Sequence, residues 1–539
     1  MGLVTERFKA LQKGQTQIQV LWDELGRRTF PRKPNASSLS ALDFTGLIAE
    51  DNYDSTLRRA LLDHASGTAS LLFPGGEAGF SFAPPRELSD DDAAQEYCNE
   101  CREIVSHELR RSNFDAAFNE ACLERVAFGT GGIYSEYVED RAKLNFRNQP
   151  VNTYVVEVDN CGVFNGFYRR LEYTPAQAAK EWGKENLPDQ VRESLGDPKK
   201  ADEVSAYVVG VREVQAWDEE AKTKSEGKPF ILTVEFEKTG KEILTTGFHE
   251  FPVALSRYMT ITGSPWGFSP TWLVLPEVRR LYRQNELADK LGLATLAPPI
   301  TALAKLRGRI NRGPLGVTYV DSMDEEPRVQ PVATGDYRIG MERMEAAKQD
   351  IQSALHIDFF RMFSNMDDPK ITATVARLIE AERATNLGQP YKLITNELVT
   401  PLLLRTFALL HRNGRLPDAP ESMLSAQENE VTQQRDAILP QVTFENRLLT
   451  AMKAAENLAY AEWMEIIGAQ LLSLAPEEQA NLNTSHIVRT TFRNTIGDPD
   501  GLVPEDQAEE AKQEMAEQAA MQQEAAMQQE ALGVMNTMR

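Results

Sequence analysis

Two cysteines and one histidine come nearest to the residue types and spacing of a metal or redox site. Cys98 and Cys101 form a CxxC pair, and His107 lies six residues beyond Cys101. Such a pair binds zinc or exchanges disulfides when further ligands or a redox fold accompany it. Here the segment YCNECREIVSHELRR has a helical pattern, and the chain has no second CxxC. The sequence therefore favours ordinary half-buried thiols over a zinc or redox site.

Two further patterns offer only weak chemistry. The adjacent carboxylates Asp367 and Asp368 could in principle hold a metal ion, but their loop contains no histidine partner. Gly129, Gly131 and Gly132 loosely resemble a phosphate-binding loop, yet no Lys-Ser/Thr follows and a strand comes next. A tight turn is the preferred interpretation of these glycines. We expect no catalytic residues, no metal and no cofactor, and the chain is not predicted to be an enzyme.

The composition indicates a folded protein of several structural units. The chain has 539 residues, of which 42% are apolar and 26% are charged, and at roughly 150 residues per domain this suggests three or four units. No apolar run approaches the roughly 18 residues of a membrane span, and MGLVTERFKA lacks a signal-peptide apolar region. We expect a protein without a membrane span that folds in a cytoplasm.

The net charge narrows the possible partners. A formal charge of −22 argues against a general nucleic-acid binder, which would neutralise phosphates with clustered lysines and arginines. It leaves open a surface past which DNA must slide without sticking.

Periodicity predicts an α+β fold that is predominantly helical. Helical spacing dominates the first 125 residues and includes one run from Phe8 to Leu25. From Gly129 to about residue 261 the pattern changes to short β-branched and aromatic strands, interrupted by a short helix around Pro175 to Trp182. The last of these strands are expected at VSAYVVGVREVQAW, PFILTVEFE and LSRYMTI. Long helices follow from Pro270, and further helices are expected at Glu421 to Ile438 and at Phe444 to Leu472.

The rest of the chain is organised around Ser269 to Asn413. A helix from Pro270 to Leu291 has a narrow apolar seam and a charged remainder, which suits packing against copies of itself. A Gly/Pro-punctuated excursion with short strands follows, and a second helix returns from Met341 to Phe363. SNMDDPK breaks that helix. A third helical run, Ile371 to Asn413, must be kinked at its two prolines.

Order, spacing and segment boundaries together resemble the portal, or head-to-tail connector, proteins of short-tailed bacteriophages. The resemblance extends over nearly the whole chain, and its central segments are the most specific. It rests on LWDELGRRTFPR, RRALLDHASGTASLLFPGG, RSNFDAAFNEACLERVAFGTGGIYSEY, GFSPTWLVLPEVRRLYRQNELADKLGLATLAPP and TATVARLIEAERATNLGQPYKLITNELVTPLLLRTFALLHRNGRLP.

The resemblance implies the architecture of that family, a ring of about twelve subunits around a central channel. The expected divisions are a wing at 1–268, stem helix 1 at 269–293, a clip at 294–340, stem helix 2 at 341–363, a tunnel loop at 364–370, a kinked wing helix at 371–413, a helical crown at 414–503 and an Ala/Gln/Glu/Met-rich C-terminal helix or tail at 504–539.

The resemblance also implies function and partners. The ring fills one vertex of the capsid in the virion, after assembly in the host bacterial cytoplasm. A packaging terminase drives double-stranded DNA through it without sequence readout, and the ring later passes the genome to the tail. Tail adaptor proteins, the major capsid protein and scaffolding proteins are the other expected partners. An acidic wall with a few basic rings would let DNA slide.

The candidate site residues follow from this reading. The tunnel loop is expected to face DNA with Ser364, Asn365, Met366, Asp367, Asp368 and Lys370. Lys348 and Arg361 are possible rings of charge in the channel, although pairing between subunits explains them equally well. Arg307, Arg309 and Arg312 are expected on the clip, where they contact DNA, the motor or a tail adaptor. The loop has more acid than base, which favours guiding or gating DNA over gripping it.

Two alternatives remain open. One is another structural virion or scaffold protein without a DNA channel, which predicts rods or small oligomers in place of a hollow ring. The less favoured alternative is a metal-dependent hydrolase that uses Asp367 and Asp368, which predicts turnover or a stoichiometric bound metal.

Overall fold

The structure, a computed structural model, describes residues 2–29, 54–74, 79–88, 91–197, 200, 202–296, 300–302, 329–331, 338–364, 388–428 and 435–444. All of them belong to one unit, Met1–Lys370 with Asn386–Asn446. A second unit, Ile371–Thr385 with Arg447–Arg539, lies outside the described residues. Helices and antiparallel sheets alternate along the first unit, which confirms the predicted α+β class.

The described α-helices are numbered in chain order. They are α1 (Leu3–Gly14), α2 (Thr16–Thr29), α3 (Thr56–Leu72), α4 (Asp92–Arg111), α5 (Phe114–Phe128), α6 (Pro175–Trp182), α7 (Asp189–Ser194), α8 (Glu219–Lys224), α9 (Pro270–Leu273), α10 (Leu275–Leu296), α11 (Arg338–Ala354), α12 (Ile357–Ser364) and α13 (Gly388–Arg412). Within α13, Thr395–Val399 form a π-helical turn immediately before Pro401. Such a turn accommodates a residue that cannot donate its backbone hydrogen bond.

The strands form small antiparallel sheets. They are β1 (Phe80–Ala83), β2 (Thr130–Val138), β3 (Lys143–Asn148), β4 (Tyr154–Val158), β5 (Phe164–Tyr173), β6 (Ser205–Glu213), β7 (Phe230–Phe236), β8 (Glu242–Phe248), β9 (Val253–Arg257), β10 (Ile300–Ala302), β11 (Val329–Pro331), β12 (Leu424–Glu428), β13 (Arg435–Ala437) and β14 (Gln441–Phe444). One sheet has the order β4-β5-β6-β7-β8, another has the order β3-β2-β9, and the pairs β1-β14, β10-β11 and β12-β13 complete the described set.

Helices cover both faces of the five-stranded sheet. Helix α1 places Val4 and Phe8 against one face, and α6 places Ala178 and Trp182 against the other. Helix α6 begins with a capping box, because Thr174 and Gln177 each bond the backbone N–H of the other. The helix has the bounds that the sequence predicts. Two buried faces make this sheet a rigid support for the rest of the unit.

The start of α1 is fixed by a carboxylate from β7. Glu235 is only 5% exposed and accepts hydrogen bonds from the backbone N–H of Val4 (3.1 Å), the backbone N–H of Thr5 (2.9 Å) and Thr5 Oγ1 (2.8 Å). The first N–H groups of a helix have no partner within it, and negative charge there is favoured by the helix dipole. Glu235 therefore anchors the first helix to a distant strand.

The last turn of α5 is a junction for segments that are far apart in sequence. Trp22 Nε1 in α2 donates to the carbonyl of Phe128 (3.1 Å), and Ser269 Oγ before α9 donates to the carbonyl of Val126 (2.6 Å). Helix carbonyls at this end have no intrahelical donors, so side chains from elsewhere satisfy them. Gly129 ends the helix with φ of 95°, a left-handed conformation that suits glycine.

The glycine cluster after α5 is a turn at one residue only. Gly129 is the helix cap, as the tight-turn interpretation requires, whereas Gly131 and Gly132 lie inside β2. The phosphate-loop reading is not supported, because the strand pairs with β9 directly through these residues.

The N-terminal helical run is two helices, so the prediction of one run from Phe8 to Leu25 is wrong. The break is at Gln15, whose backbone N–H bonds to the carbonyl of Gln12 (3.0 Å). Helix α1 packs on the five-stranded sheet, whereas α2 places Trp22 in a different core cluster. Packing on two separate surfaces imposes the break.

The predicted helix from Met341 to Phe363 is also interrupted. Helix α11 ends at Ala354, and α12 starts at Ile357 after His356, which has φ of 54°. A non-glycine residue in this left-handed region carries strain of roughly 1–3 kcal/mol, which surrounding packing must offset. The elbow between the two helices buries Leu355 and Ile357 completely.

His64 of α3 supports the elbow. Its Nδ1 lies 2.8 Å from the carbonyl oxygen of Leu355, and because a carbonyl only accepts, Nδ1 carries the proton. The ring stacks edge-on against Phe360 of α12 at 4.9 Å. One turn further along α3, a Cβ at Gly67 would collide with the Phe360 ring. The elbow thus fits a notch in α3 that only glycine provides.

The predicted helix from Glu421 to Ile438 is wrong. Glu421–Met423 form a single 3-10 turn, followed by β12, which pairs with β13. Phe444, predicted to open another helix, is the last residue of β14, and β14 pairs with β1. Pairing with a strand more than 300 positions earlier in the chain is a tertiary demand that local helical spacing does not reveal.

One described helix meets the length and composition test for a membrane span. It is α13, with a mean hydropathy of 1.4 over its most apolar window, of which 61% is buried within the unit. Leu402, Leu403 and Phe407 are part of the protein core. A buried core helix passes this test for the same compositional reason.

The first prediction concerns His64 and pH. Burial lowers the pKa of His64 to about 3, from the ordinary value of 6.5. Below pH 6.5 the unfolded chain therefore binds a proton that the folded chain does not. This part of the stability is complete above pH 6.5 and falls as pH decreases, by up to about 1.4 kcal/mol per unit.

His64→Asn keeps a donor for the Leu355 carbonyl but does not titrate. We expect urea unfolding between pH 7.5 and 5.5 to lose less stability in His64→Asn than in the wild type. His107→Asn is the control, because His107 is exposed and should leave the pH dependence unchanged. Equal slopes in the wild type and His64→Asn would show that the buried imidazole does not control this dependence.

The second prediction concerns the Glu235 cap. Glu235→Ala leaves the Val4 and Thr5 donors unsatisfied in a buried place, at a cost of about 2–3 kcal/mol. Glu242→Ala on the neighbouring strand removes a carboxylate that is 45% exposed and paired with Lys224, and should cost less than about 1 kcal/mol. Thermal unfolding measures both variants. Equal losses would contradict a specific role for Glu235.

Candidate functional site: a projecting helix pair

Helices α10 and α11 pack together and project from the core. Val278 and Leu281 near the start of α10 lie in the same buried cluster as Ile351 and Leu355 near the end of α11. Their other ends lead into β10 and β11, which pair antiparallel. The two helices therefore run antiparallel, and the 22 residues of α10 give a length of about 33 Å. We call α10, α11 and the β10-β11 pair the arm.

Side-chain hydrogen bonds fix the base of the arm. Ser269 Oγ accepts from the backbone N–H of Thr271 (3.0 Å), which caps α9. Thr271 Oγ1 donates to the carbonyl of Val126 (2.9 Å), the same oxygen that Ser269 contacts. Pro276 lies in the first turn of α10, where its missing N–H costs little. The direction of the arm is thus set by the end of α5.

Two contacts brace the first turns of α10 against the N-terminal helices. Arg279 pairs with Glu24 of α2, with Nε at 2.7 Å from Oε1, and this hydrogen bond is the main reason why the pKa of Glu24 is lowered. Tyr282 donates its hydroxyl to the backbone carbonyl of Asp54 (3.1 Å). Beyond Tyr282 the described side chains of the arm become increasingly exposed.

Large apolar side chains are exposed on this outer part. Leu287 is 52% exposed, Leu293 is 68% exposed and Met341 is 63% exposed. Buried Leu281 and exposed Leu287 are less than two turns apart on one helix. A soluble protein seldom leaves several such residues in one region without a partner surface.

The arm does not share the acidity of the whole chain. Helix α10 contains Arg279, Arg280, Arg283 and Lys290 against Glu277, Asp289 and Glu286, while α11 has three basic and three acidic residues. The sum is +1 for the two helices, against −22 for the chain. The acidic excess of the chain is therefore not carried by this helix pair.

The structure places few of the predicted site residues. Lys348 lies in α11, half-buried beside the buried Ala347, and it has no ion-pair partner among the described residues. Arg361 and Ser364 lie in the last part of α12, and only the backbone of these two residues is described. The remaining predicted site residues lie outside the described residues: Asn365, Met366, Asp367, Asp368, Lys370, Arg307, Arg309 and Arg312. The structure thus neither assembles nor separates the predicted site.

A buried arginine that the sequence did not single out anchors the start of α13. The guanidinium of Arg125 donates to Ser256 Oγ (3.1 Å), to the carbonyl of Arg257 (3.0 Å) and to the carbonyl of Pro390 (2.5 Å). It also lies 5.0 Å from the ring of Tyr258. Burial lowers the pKa of Arg125 to about 10, so the side chain remains charged at neutral pH.

The neighbouring arginine completes this anchor. The backbone N–H of Arg257 donates to Glu397 Oε2 (2.8 Å), and its Nε donates to Glu397 Oε1 (3.1 Å). Glu397 lies in the π-helical turn of α13. The only sequence signal for this cluster is charged residues within otherwise apolar helical and strand patterns. Such residues need partners when buried.

The other end of α13 is anchored on the three-stranded sheet. Arg405 is 3% exposed, and its Nε donates to Ser135 Oγ (3.1 Å) while its Nη1 lies 3.2 Å from Glu250 Oε2. Arg412 pairs with the same carboxylate, with Nη1 at 2.5 Å from Oε1. Helices α12 and α13, which flank the chain between Ser364 and Gly388, are therefore both fixed to the core.

The surroundings of the CxxC thiols favour ordinary buried cysteines. Cys98 and Cys101 are buried in α4, and burial raises the pKa of Cys98 to about 11 and of Cys101 to about 12. The thiolate is the form that binds metals and reacts, so protonated thiols favour the structural interpretation. Cys122 is also buried, whereas Cys161 is exposed. Within the described ranges, no three His, Cys, Asp or Glu side chains are grouped as metal ligands.

Comparison with known proteins supplies the context for this arrangement. The family model for bacteriophage head to tail connecting proteins matches residues 2–503. The chain is 24% identical over 503 residues to the probable portal protein of Bordetella phage BPP-1, covering 90% of this chain and 87% of that protein. It is 23% identical over 527 residues to the portal protein of Salmonella phage epsilon15, covering 95% and 91%. The resemblance inferred from the sequence is thereby confirmed, and the chain belongs to the family of bacteriophage head to tail connecting proteins.

Proposed function

We propose that the chain is the subunit of a portal ring at one vertex of a phage capsid. The observation that carries this proposal is the family match over residues 2–503, together with two relatives that are named portal proteins. In this proposal about twelve copies close into a ring by rotational symmetry. The ring is a channel for packaging and ejecting double-stranded DNA, and it assembles in the bacterial cytoplasm before it becomes part of the virion.

The parts of the ring follow the expected divisions. Residues 1–268 form the wing, 269–293 and 341–363 form the stem helices, and 294–340 form the clip. Residues 364–370 are the tunnel loop, 371–413 are the kinked wing helix, 414–503 are the crown and 504–539 are the tail. The antiparallel arm supports the assignment of stem and clip, because two long helices leave the core and return through a small β pair.

The exposed apolar residues of the arm are proposed to contact neighbouring copies. Each copy in a ring presents one surface to the preceding subunit and another to the next, so every subunit covers an exposed surface of its neighbour. Leu287, Leu293 and Met341 supply apolar area that the described part of the chain does not cover. Burying each in an interface is worth roughly 1.5–3 kcal/mol per side chain.

The charge of the arm suits a passage for DNA. Strong, regularly spaced phosphate contacts would retard translocation, whereas a strongly acidic lining would repel the duplex. A near-neutral wall avoids both effects. Within this wall Lys348 and Arg361 are proposed as rings of charge, and Ser364, Asn365, Met366, Asp367, Asp368 and Lys370 as the DNA-facing constriction.

The clip is proposed as the surface for the other machinery. Arg307, Arg309 and Arg312 give it a basic edge suited to the packaging terminase, to tail adaptors or to DNA itself. The wing and crown then contact the major capsid and scaffolding proteins. The proposed role is architectural and needs no catalytic residue.

The third prediction tests the ring and its proposed seam. Purified protein should show hollow rings in negative-stain electron micrographs. Its native mass should be about twelve times the 60.4 kDa of one chain. Leu287→Glu should shift this mass to small species, because it places charge in an apolar contact. The matched control is Val163→Glu, which changes a residue that is 60% exposed on a β-hairpin and should leave rings intact.

Circular dichroism must show unchanged folding of both variants. A wild-type monomer at every salt concentration would refute the ring. Intact rings of Leu287→Glu would instead refute the proposed seam while leaving the ring in place.

The fourth prediction concerns the proposed tunnel loop. Deletion of residues 364–370 should leave ring assembly intact, because the anchors at His64 and Arg125 lie outside the deleted stretch. Packaging or genome retention should fail, as measured by nuclease-protected DNA in assembled particles. Loss of the rings themselves would show that this stretch is an interface and not a gate.

A further inference from the structure

A cavity lies on the face of the five-stranded sheet that α6 covers. Its volume is about 190 Å³, and it is bounded by β5 to β8, by α6 and by the edge of the three-stranded sheet. Phe167, Trp182 and Phe248 are among its apolar and aromatic walls. Pockets for drug-sized ligands begin near roughly 300 Å³. The space suits a group the size of one amino-acid residue and is too small for a nucleotide.

Two arginines line this cavity, and the charge of one of them is paired with two carboxylates. Arg147 donates to Glu136 Oε2 (2.6 Å) and to Glu181 Oε1 (3.3 Å), and its guanidinium lies 5.3 Å from the ring of Tyr134. Burial acts to lower the pKa of Arg147, but the attraction of Glu136 and Glu181 and the hydrogen bond to Glu136 together raise it. This residue has the charge balance of a structural ion pair.

The second arginine lacks such a partner. Arg169 donates from Nη1 to the amide oxygen of Gln149 (2.5 Å), and its buried Nε, like that of Arg147, has no hydrogen-bond acceptor among the described residues. No carboxylate in the described ranges forms an ion pair with it. Glu124 attracts Arg169 and raises its pKa, and Glu124 Oε2 accepts a hydrogen bond from the backbone N–H of Val151 (3.2 Å).

An uncompensated cation in this place is costly. Burial lowers the pKa of Arg169 to about 10, with only partial opposition from Tyr173, Tyr154 and Glu124. A buried charge without a close counter-ion reduces the stability of the fold. A residue that costs stability while facing a cavity is typical of a binding site, because a ligand supplies the missing charge.

We propose that the cavity binds a carboxylate joined to an apolar or aromatic group of residue size, with Arg169 as its ionic partner. The guanidinium offers paired N–H donors that match a carboxylate, and the aromatic walls accommodate the attached group. The source is either the C-terminal residue of a polypeptide or a free organic acid.

The neighbouring residue in β5 provides a matched control. Arg170 points to the opposite face of the sheet, because side chains alternate along a strand. Its Nε donates to Glu237 (2.8 Å) and its Nη1 to Glu172 (2.5 Å). Arg169→Gln and Arg170→Gln therefore remove the same charge from adjacent positions, one facing the cavity and one facing away from it.

The fifth prediction uses the full-length protein and small probes in calorimetric titrations. N-acetyl-L-phenylalanine should bind the wild type about tenfold or more tightly than N-acetyl-L-phenylalaninamide, since only the acid forms charge-assisted hydrogen bonds. Arg169→Gln should abolish this preference, and Arg170→Gln should keep it. Without a ligand, Arg169→Gln should raise the thermal midpoint by about 1–3 °C, whereas Arg170→Gln should not raise it.

A further titration distinguishes a polypeptide terminus from a free organic acid. The peptide Ala-Ala-Ala-Phe with a free carboxylate should bind more tightly than the acetylated acid if a polypeptide terminus is the natural occupant, and equally or less tightly if a free acid is. The proposal is overturned if neither acid binds up to about 10 mM, if acid and amide bind alike, or if Arg170→Gln loses binding as Arg169→Gln does.

Discussion

The fold of the described unit depends on the last backbone carbonyl groups of α5, which have no hydrogen-bond donors within the helix. A helix ends with carbonyl groups that no residue within it can satisfy. Here Trp22 fills one such position, and Ser269 and Thr271 share another. Arg125 of the same turn extends the connections to β9 and to Pro390. One helical turn thus fixes the N-terminal helices, the base of the arm and the start of α13 relative to each other.

The distribution of buried hydrogen bonds and exposed apolar side chains distinguishes the base of the arm from its outer part. Buried polar anchors lie around α3, α5 and the sheets, whereas the described outer part of the arm has exposed large apolar side chains. An apolar seam gains stability only when something covers it. The base therefore sets the direction of the arm within one chain, while its outer surface is suited to association between chains.

Local signals allowed part of this fold to be predicted from sequence. Helix α6 was predictable because its capping box, its first-turn proline and its terminal glycine all lie within ten residues. The elbow at His356 was not, since its cause is the notch at Gly67 in a distant helix. The β12-β13 hairpin has helical spacing, yet the chain must remain extended to reach β1. Strand β8 was missed because its threonines give little apolar alternation.

The candidate site was predictable only at the level of the family and the arm. Family resemblance follows from the order of many segments, and the helical periods of α10 and α11 are strong in sequence. The anchors Arg125, Arg257 and Glu397 lie far apart in the chain, so only the fold brings them together. Which side chains would line the proposed channel depends on neighbouring copies, and no single chain contains that information.

The exposed thiol of Cys161 has a practical consequence. It lies at the tip of the β4-β5 hairpin, beside Gly162, whose carbonyl accepts a hydrogen bond from Arg257 (2.8 Å). Because the other three cysteines of the chain are buried, a maleimide dye would attach at a single place without any engineered mutation. In an assembly, each copy would then carry one fluorophore on the hairpin that Arg257 connects to Glu397 of α13. Energy transfer between adjacent dyes would report spacing and symmetry directly in solution.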